Sequence, residues 1–151
     1  MRALLQRVSR ASVTARTSVD DDPVETGRIG RGLVAFVGVT HDDTEAAASR
    51  LADRIATLRV FPDDEGALNR SCVDVAGAVL VVSQFTLYAD TRKGRRPSFV
   101  AAARPEHAEP LVEEVVSGLA AHGLDVATGR FRTDMQVELV NDGPVTISLE
   151  V

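Results

Sequence analysis

Ala78-Val79-Leu80-Val81-Val82-Ser83-Gln84-Phe85-Thr86-Leu87 is the stretch on which both fold and site turn. Its five opening apolar residues, mostly β-branched, read as a strand buried on both faces. The run stops at Ser83, and Ser83, Gln84 and Thr86 then bring side-chain donors and acceptors to the end of a core strand. Polar groups so placed need hydrogen-bond partners, either as a cap on the strand or as the lining of a site. A basic segment, Thr91-Arg92-Lys93-Gly94-Arg95-Arg96-Pro97, follows within a few residues.

Other strands flank this one in the sequence. Residues 3–15 alternate loosely through Leu5, Val8, Ala11, Val13 and Ala15, which predicts one long or bent strand, or two short ones. Arg7 falls inside it, either among buried neighbours or as an edge-strand arginine in water. Asp20-Asp21-Asp22-Pro23 predicts a solvated hairpin tip. Gly27 to Gly32 reads G-x-x-G-x-G, the wrong order for a dinucleotide fingerprint and without the Gly-Lys-Ser/Thr of a phosphate loop, so a turn between strands is expected. Leu33–Val39 is a second core strand. Asp42 and Glu45 have capping-box spacing, and Thr44, Ala48, Leu51, Ile55 and Leu58 then share one face of a helix. Leu111, Val112, Val115, Val116 and Leu119 mark a second amphipathic helix, with Pro105 suited to its first position and His122-Gly123 to its end. Pro110 either starts the regular part of that helix or kinks it. Leu124–Ala127, Gln136–Val140 and Val145–Val151 read as strands, the last two separated by the turn signal Asn141-Asp142-Gly143-Pro144. The expected fold is α+β: a single domain over residues 1–151, with a largely antiparallel, barrel-like sheet and two main amphipathic helices.

Composition narrows the function classes. A formal charge of −5 argues against whole-surface binding to nucleic acid, so any phosphate contact has to be local. One cysteine, Cys72, excludes an internal disulfide and fits a reducing compartment; a half-buried structural thiol is expected. No secretory or membrane-spanning segment is legible, which makes the cytoplasm the expected location. No His/Cys cluster has metal-ligand spacing, and neither metal nor cofactor is expected. His41, His107 and His122 fall at helix ends and read as surface residues, leaving no base placed to activate a serine, threonine or cysteine. If the chain is an enzyme, it works through backbone groups, hydroxyls and the substrate itself. Positive charge is concentrated at Arg92, Lys93, Arg95 and Arg96, four cations within five residues, able to meet phosphates beside Ser83–Leu87.

Ser83-Gln84-Phe85-Thr86-Leu87 and Asn141-Asp142-Gly143-Pro144-Val145-Thr146 together resemble the two signature motifs of the D-aminoacyl-tRNA deacylases. Collinear likeness extends to Gln6–Val13, Arg92–Phe99, Thr128–Phe131 and Asp134–Val137; the acidic tip Asp20–Asp22 is longer than the family pattern. The resemblance implies a homodimer that hydrolyses the ester joining a D-amino acid, or wrongly attached glycine, to the 3′ end of tRNA. It implies that Gly143-Pro144 is cis, enters the partner's pocket and rejects L-amino acids. By the same resemblance Ser83, Gln84, Phe85 and Thr86 line that pocket, and Arg7 and Met135 brace the dipeptide. For the reaction, backbone N–H groups near Phe85 and Thr86 could stabilise an oxyanion, with the terminal ribose 2′-hydroxyl assisting. Thr86 as nucleophile, with Gln84 beside it, is the alternative. Two other readings compete: a non-catalytic RNA-binding dimer using the basic loop, and an L-selective editing domain of the same fold.

Overall fold

A computed structural model describes residues 1–18 and 20–151. Strand β1 (Arg2–Arg16) is followed by β2 (Val24–Ile29), β3 (Gly32–Gly38) and helix α1 (Glu45–Thr57). A short ribbon, β4 (Phe61–Pro62) with β5 (Leu68–Arg70), leads to β6 (Ala78–Ser83). A 3-10 turn at Phe85–Tyr88, helix α2 (Pro105–Ala121), β7 (Asp125–Thr128) and β8 (Asp134–Glu150) complete the order.

β1 is one long strand whose edges are used differently. Along one edge Arg2–Val8 pairs with β3 and Ala11–Ala15 pairs with β2. Along the other edge β8 accompanies it from Arg2 to Arg16. All three pairings are antiparallel, as the sequence pattern predicts. β6, however, is parallel to both its neighbours, β3 and β7. Parallel neighbours need a crossover, and α1 and α2 supply the two. The sheet curls until its outer strands meet: a β-carbon on Gly27 of β2 would lie 2.7 Å from the Thr128 carbonyl oxygen of β7. The result is a nearly closed, barrel-like sheet.

β6 has apolar residues on both sides because both sides are covered. Val79 and Val81 join the core under the helices, with Leu5, Leu33, Leu51, Ile55, Val115 and Leu119. Leu80 and Val82 join the other cluster with Val8, Val13, Ile29 and Val34. The helices α1 and α2 approach closely where small residues face each other, at Ala52 and Gly118.

Several local expectations are corrected. The α1 helix begins at Glu45, so Thr44 is its exposed N-cap and lies off the buried face, while Leu58 is its C-cap and packs partly buried against the core. The Asp42–Glu45 capping box does not form. The neighbouring Asp43 carboxylate is held instead by the Met1 amino group at 2.6 Å and the Thr40 N–H at 2.8 Å. Pro110 does not start α2, which runs from Pro105 through it. Cys72 is fully buried rather than half-buried, and burial pushes its thiol up to about 11. Asn141–Pro144 does not separate two strands of a hairpin, because both flanking segments pair with β1 in one direction. No described helix is long and apolar enough to cross a membrane.

Gly118 sits in a helix, where alanine would ordinarily add stability of ~1 kcal/mol. Here a β-carbon would lie 2.6 Å from Ala52 Cβ, and neither atom can rotate away. Gly118→Ala is therefore expected to lower stability by about 1–2 kcal/mol, as overpacking does. Urea unfolding measures it, and a raised midpoint would show that the helices do not meet as described.

Candidate active site

The ladder between β3 and β6 ends at the pair Val37–Ser83. The chain then breaks into the 3-10 turn, with the Gln84 N–H still donating to the Val37 carbonyl at 2.7 Å. Within that turn the Leu87 N–H bonds to the Gln84 carbonyl and the Ala89 N–H to the Thr86 carbonyl. The N–H groups of Phe85 and Thr86 precede the first bond of the turn and have no carbonyl inside it to meet. Arg2 anchors the turn from below: its guanidinium donates to the Leu87 carbonyl at 3.3 Å and lies 4.6 Å from the Tyr88 ring centre. Burial pushes the Tyr88 phenol up to about 12, so it stays protonated at neutral pH.

This strand end opens into a cleft of about 710 Å³. Ser83, Gln84 and Phe85 line one wall, Phe99 and Ala102–Pro105 a second, and Phe131–Met135 a third. The dimensions suit a small-molecule or nucleoside-sized group. Thr86 does not line the cleft; its hydroxyl accepts a hydrogen bond from the Gln84 amide. The histidines are occupied elsewhere, His41 at the Val100 carbonyl, His107 at the Asp43 carbonyl and His122 at the Asp53 carboxylate. Thus no described histidine reaches Thr86. A second cleft, of about 750 Å³, shares Ser83 and Phe131 with the first and opens over the seam between β2 and β7.

The basic segment Thr91–Pro97 does not line the cleft, which its neighbour Phe99 does. Asp90 and Ser98 exchange backbone hydrogen bonds of 2.7 and 2.9 Å, closing the loop at its base, and Gly94 at its tip has φ +71°. Beyond the loop Phe99 packs edge-on against Phe85, ring centres 5.2 Å apart. This contact ties the loop to the Ser83–Leu87 wall. Arg92 is paired within the loop, its guanidinium donating to both Asp90 oxygens at 2.9 and 2.7 Å. That pairing holds the Asp90 carboxyl well below the usual carboxylate range. Lys93, Arg95 and Arg96 are exposed and form no ion pair among the described residues.

Gly143 and Pro144 lie elsewhere. Between the pairs Gln6–Thr146 and Val8–Asn141, β1 contributes only Arg7 while β8 contributes Asp142 to Val145. The surplus leaves the sheet as a protrusion, with Asp142, Gly143 and Pro144 exposed and the Gly143–Pro144 bond cis. Two side chains hold its base. The Asn141 amide donates to the Arg7 and Val145 carbonyls at 2.9 and 3.1 Å, replacing ladder bonds lost at the bulge. Arg7 is buried, 7% exposed, so the reading of it as an edge arginine in water is set aside. Its guanidinium donates to the Asp142 carbonyl at 3.0 Å and the Val60 carbonyl at 2.5 Å, and lies 3.0 Å from the Asp142 carboxylate. Met135 is eight residues from Gly143 on β8, a contour of ~26 Å, and pairs with Ala15. Met135 therefore lines the cleft with Ser83 and Gln84, whereas Gly143 and Pro144 of the same chain do not.

Sequence reasoning missed Arg104 and Arg132, which line the cleft, and the clamp made by Asn141. Nothing local marks the two arginines. They meet only because the start of α2 and the loop before β8 converge on the end of β6.

The family model and the curated relatives agree on one family. Residues 4–150 match the family model described as D-Tyr-tRNA(Tyr) deacylase. A D-aminoacyl-tRNA deacylase of Symbiobacterium thermophilum is 57% identical over 150 residues, 99% of this chain and 95% of that protein. One from Idiomarina loihiensis is 58% identical over the full length of both. Among solved structures, the c-Myc DNA Unwinding Element Binding Protein superposes with a TM-score of 0.89 at 37% identity, covering 100% of this chain and 99% of that one. A probable eukaryotic D-amino acid tRNA deacylase, at 18% identity and TM-score 0.81 over 99% and 98%, shares the fold.

Removing Arg7 would leave the Val60 carbonyl and Asp142 without their donor. Arg7→Met is expected to cost about 2–3 kcal/mol, the range for buried hydrogen bonds to a charged group. Arg28→Met, at the exposed and solvent-screened pair with Glu25, is expected to leave the midpoint nearly unchanged. Equal midpoints for the two variants in urea would contradict the bracing role.

Proposed function

The chain belongs to the D-Tyr-tRNA(Tyr) deacylase family, and we propose that it hydrolyses the ester joining a D-amino acid, or glycine, to the 3′ end of tRNA. On this reading it acts in the cytoplasm as a homodimer in which Gly143-Pro144 of each copy enters the other's cleft. The observation that carries the reading is the separation of the two motifs. The protrusion is exposed and braced, yet it does not line the cleft of its own chain. Glycine at 143 is only partly explained within its own chain, where an added β-carbon would press on the Asn141 side chain alone, at 3.2 Å. A partner's cleft supplies the missing reason: the bare backbone comes close enough to occupy the space an L side chain would need.

The chemistry follows from what the cleft holds. Water adds to the ester carbonyl, the carbonyl carbon–ribose oxygen bond breaks, and the products are a free amino acid and an intact tRNA 3′ end. An aminoacyl ester is already activated, so positioning and oxyanion stabilisation carry most of the work. The free N–H groups of Phe85 and Thr86 supply donors for the oxyanion. The ribose 2′-hydroxyl assists, and Ser83 and Gln84 position the substrate. Thr86 keeps its hydroxyl on Gln84, which supports positioning over nucleophilic attack. Lys93, Arg95 and Arg96 meet phosphates further along the acceptor strand, with Arg92 shaping their loop.

Purified protein should release D-tyrosine from D-tyrosyl-tRNA and glycine from glycyl-tRNA while sparing L-tyrosyl-tRNA. Preference for the L-ester would point to the editing domain of opposite chirality, and release from none to a binding protein. Gly143→Val should fold normally but lose D-ester hydrolysis on the order of 10²-fold. Retained D-specific turnover would remove the filter. A tRNA ending in 2′-deoxyadenosine should be nearly inert; normal hydrolysis of it would restore Thr86 as nucleophile.

A further inference from the structure

Two arginines that the proposed reaction leaves without a role face the cleft. Arg104 stands at the N-cap of α2, with extended backbone at φ −66° and ψ 152°. Arg132 stands in the loop between β7 and β8. Both are exposed, both line the cleft, and neither enters an ion pair among the described residues. Asp134 lines the same wall but lies 3.9 Å from Arg16, on the adjacent β1.

Arg132 has φ +57°, in the left-handed region. A residue with a β-carbon is disfavoured there, and glycine or asparagine would relax the turn. The turn is closed around it by the Thr133 hydroxyl donating to the Arg130 carbonyl at 2.8 Å. The Arg132 side chain is exposed at the cleft rather than packed in the core, so any use it has there is toward a ligand.

Size sets what that use is. About 710 Å³ has room for an aminoacylated nucleoside, and an RNA chain leaves such a nucleoside through its 5′ phosphate. Both arginines line the cleft together with Ser83, Gln84 and Phe85. Guanidinium groups suit that group, offering paired donors to phosphate oxygens. We propose that Arg104 and Arg132 bind the phosphate joining the terminal nucleoside to the rest of the tRNA, and thereby fix how deep the ester sits. The assignment rests on the cleft being an aminoacyl-tRNA site. It divides the phosphate contacts in two: this pair for the last phosphate, the basic loop for those beyond. They are positioning residues.

The test uses two small esters and the full-length protein: 3′-D-tyrosyl-adenosine, and the same ester bearing a 5′-monophosphate. Wild-type protein should favour the phosphorylated ester by about tenfold in kcat/KM, through KM rather than kcat. The double variant Arg104→Gln/Arg132→Gln should bring that ratio close to one, and the lysine double variant should restore part of it. Arg132→Gly, which relaxes the backbone while removing the charge, guards against misfolding and should lower the ratio too. Arg130→Gln, in the neighbouring cleft, should keep the wild-type ratio. Equal rates on the two esters by wild-type protein, or an unchanged ratio in the double variant, would overturn the assignment alone. No turnover of either ester would overturn the deacylase reading and this assignment with it.

Discussion

Arg7 is the point at which the long pairing of β8 and the exposed protrusion at Asp142–Pro144 are joined. β8 has to run along the whole of β1 to cover its free edge, yet its sequence carries surplus residues opposite a single position. Arg7 occupies that position. Its buried guanidinium takes the Val60 carbonyl on one side and Asp142 on the other, while Phe61 lies beneath it at 6.0 Å. The surplus is thereby expelled as a braced protrusion rather than absorbed as a slipped register. A slip by one residue would have turned Val145, Ile147 and Leu149 to the wrong face, so the hydrophobic pattern of β8 and the arginine enforce the same arrangement.

The cleft depends on a different constraint. β6 is parallel to both neighbours and covered on both faces, so its C-terminal end is where the loops after β6 and β7 and the start of α2 gather. Ligands in sheets with parallel strands are commonly met at that end, for the same geometric reason. What collects there is a set of backbone donors, an amide, hydroxyls and arginines, with the histidines held elsewhere. Such a set orients and stabilises; it does not need a strong side-chain base. An activated ester with its own neighbouring hydroxyl is a substrate that suits it.

The sequence pattern of β6 located the cleft, because a run apolar on both faces that ends in Ser83-Gln84 leaves few alternatives. It also located both helices and the β8 alternation. Three things escaped it. The parallel pairing of β6 did, since α1 and α2 are separated from their strands by irregular stretches that mask the crossover pattern. The single course of β8 did, because Asn141-Asp142-Gly143-Pro144 has the chemistry of a reversing turn and only pairing with β1 shows that the chain goes straight on. The burial of Arg7 did, because its two acceptors, Val60 and Asp142, are remote in sequence. Local chemistry was legible, and partners brought in from a distance were not.

The central claim is that one working site needs two chains, the cleft from one and Gly143-Pro144 from the other. Mixing two inactive variants tests it most directly: Gly143→Val, with an intact cleft and a spoiled protrusion, and Ser83→Trp, with a filled cleft and an intact protrusion. After unfolding and refolding together, a site shared across a twofold dimer predicts recovery of D-aminoacyl-tRNA hydrolysis to about a quarter of wild type, since half the dimers are mixed and each has one sound site. Activity no higher than the sum of the separate variants would contradict the shared site.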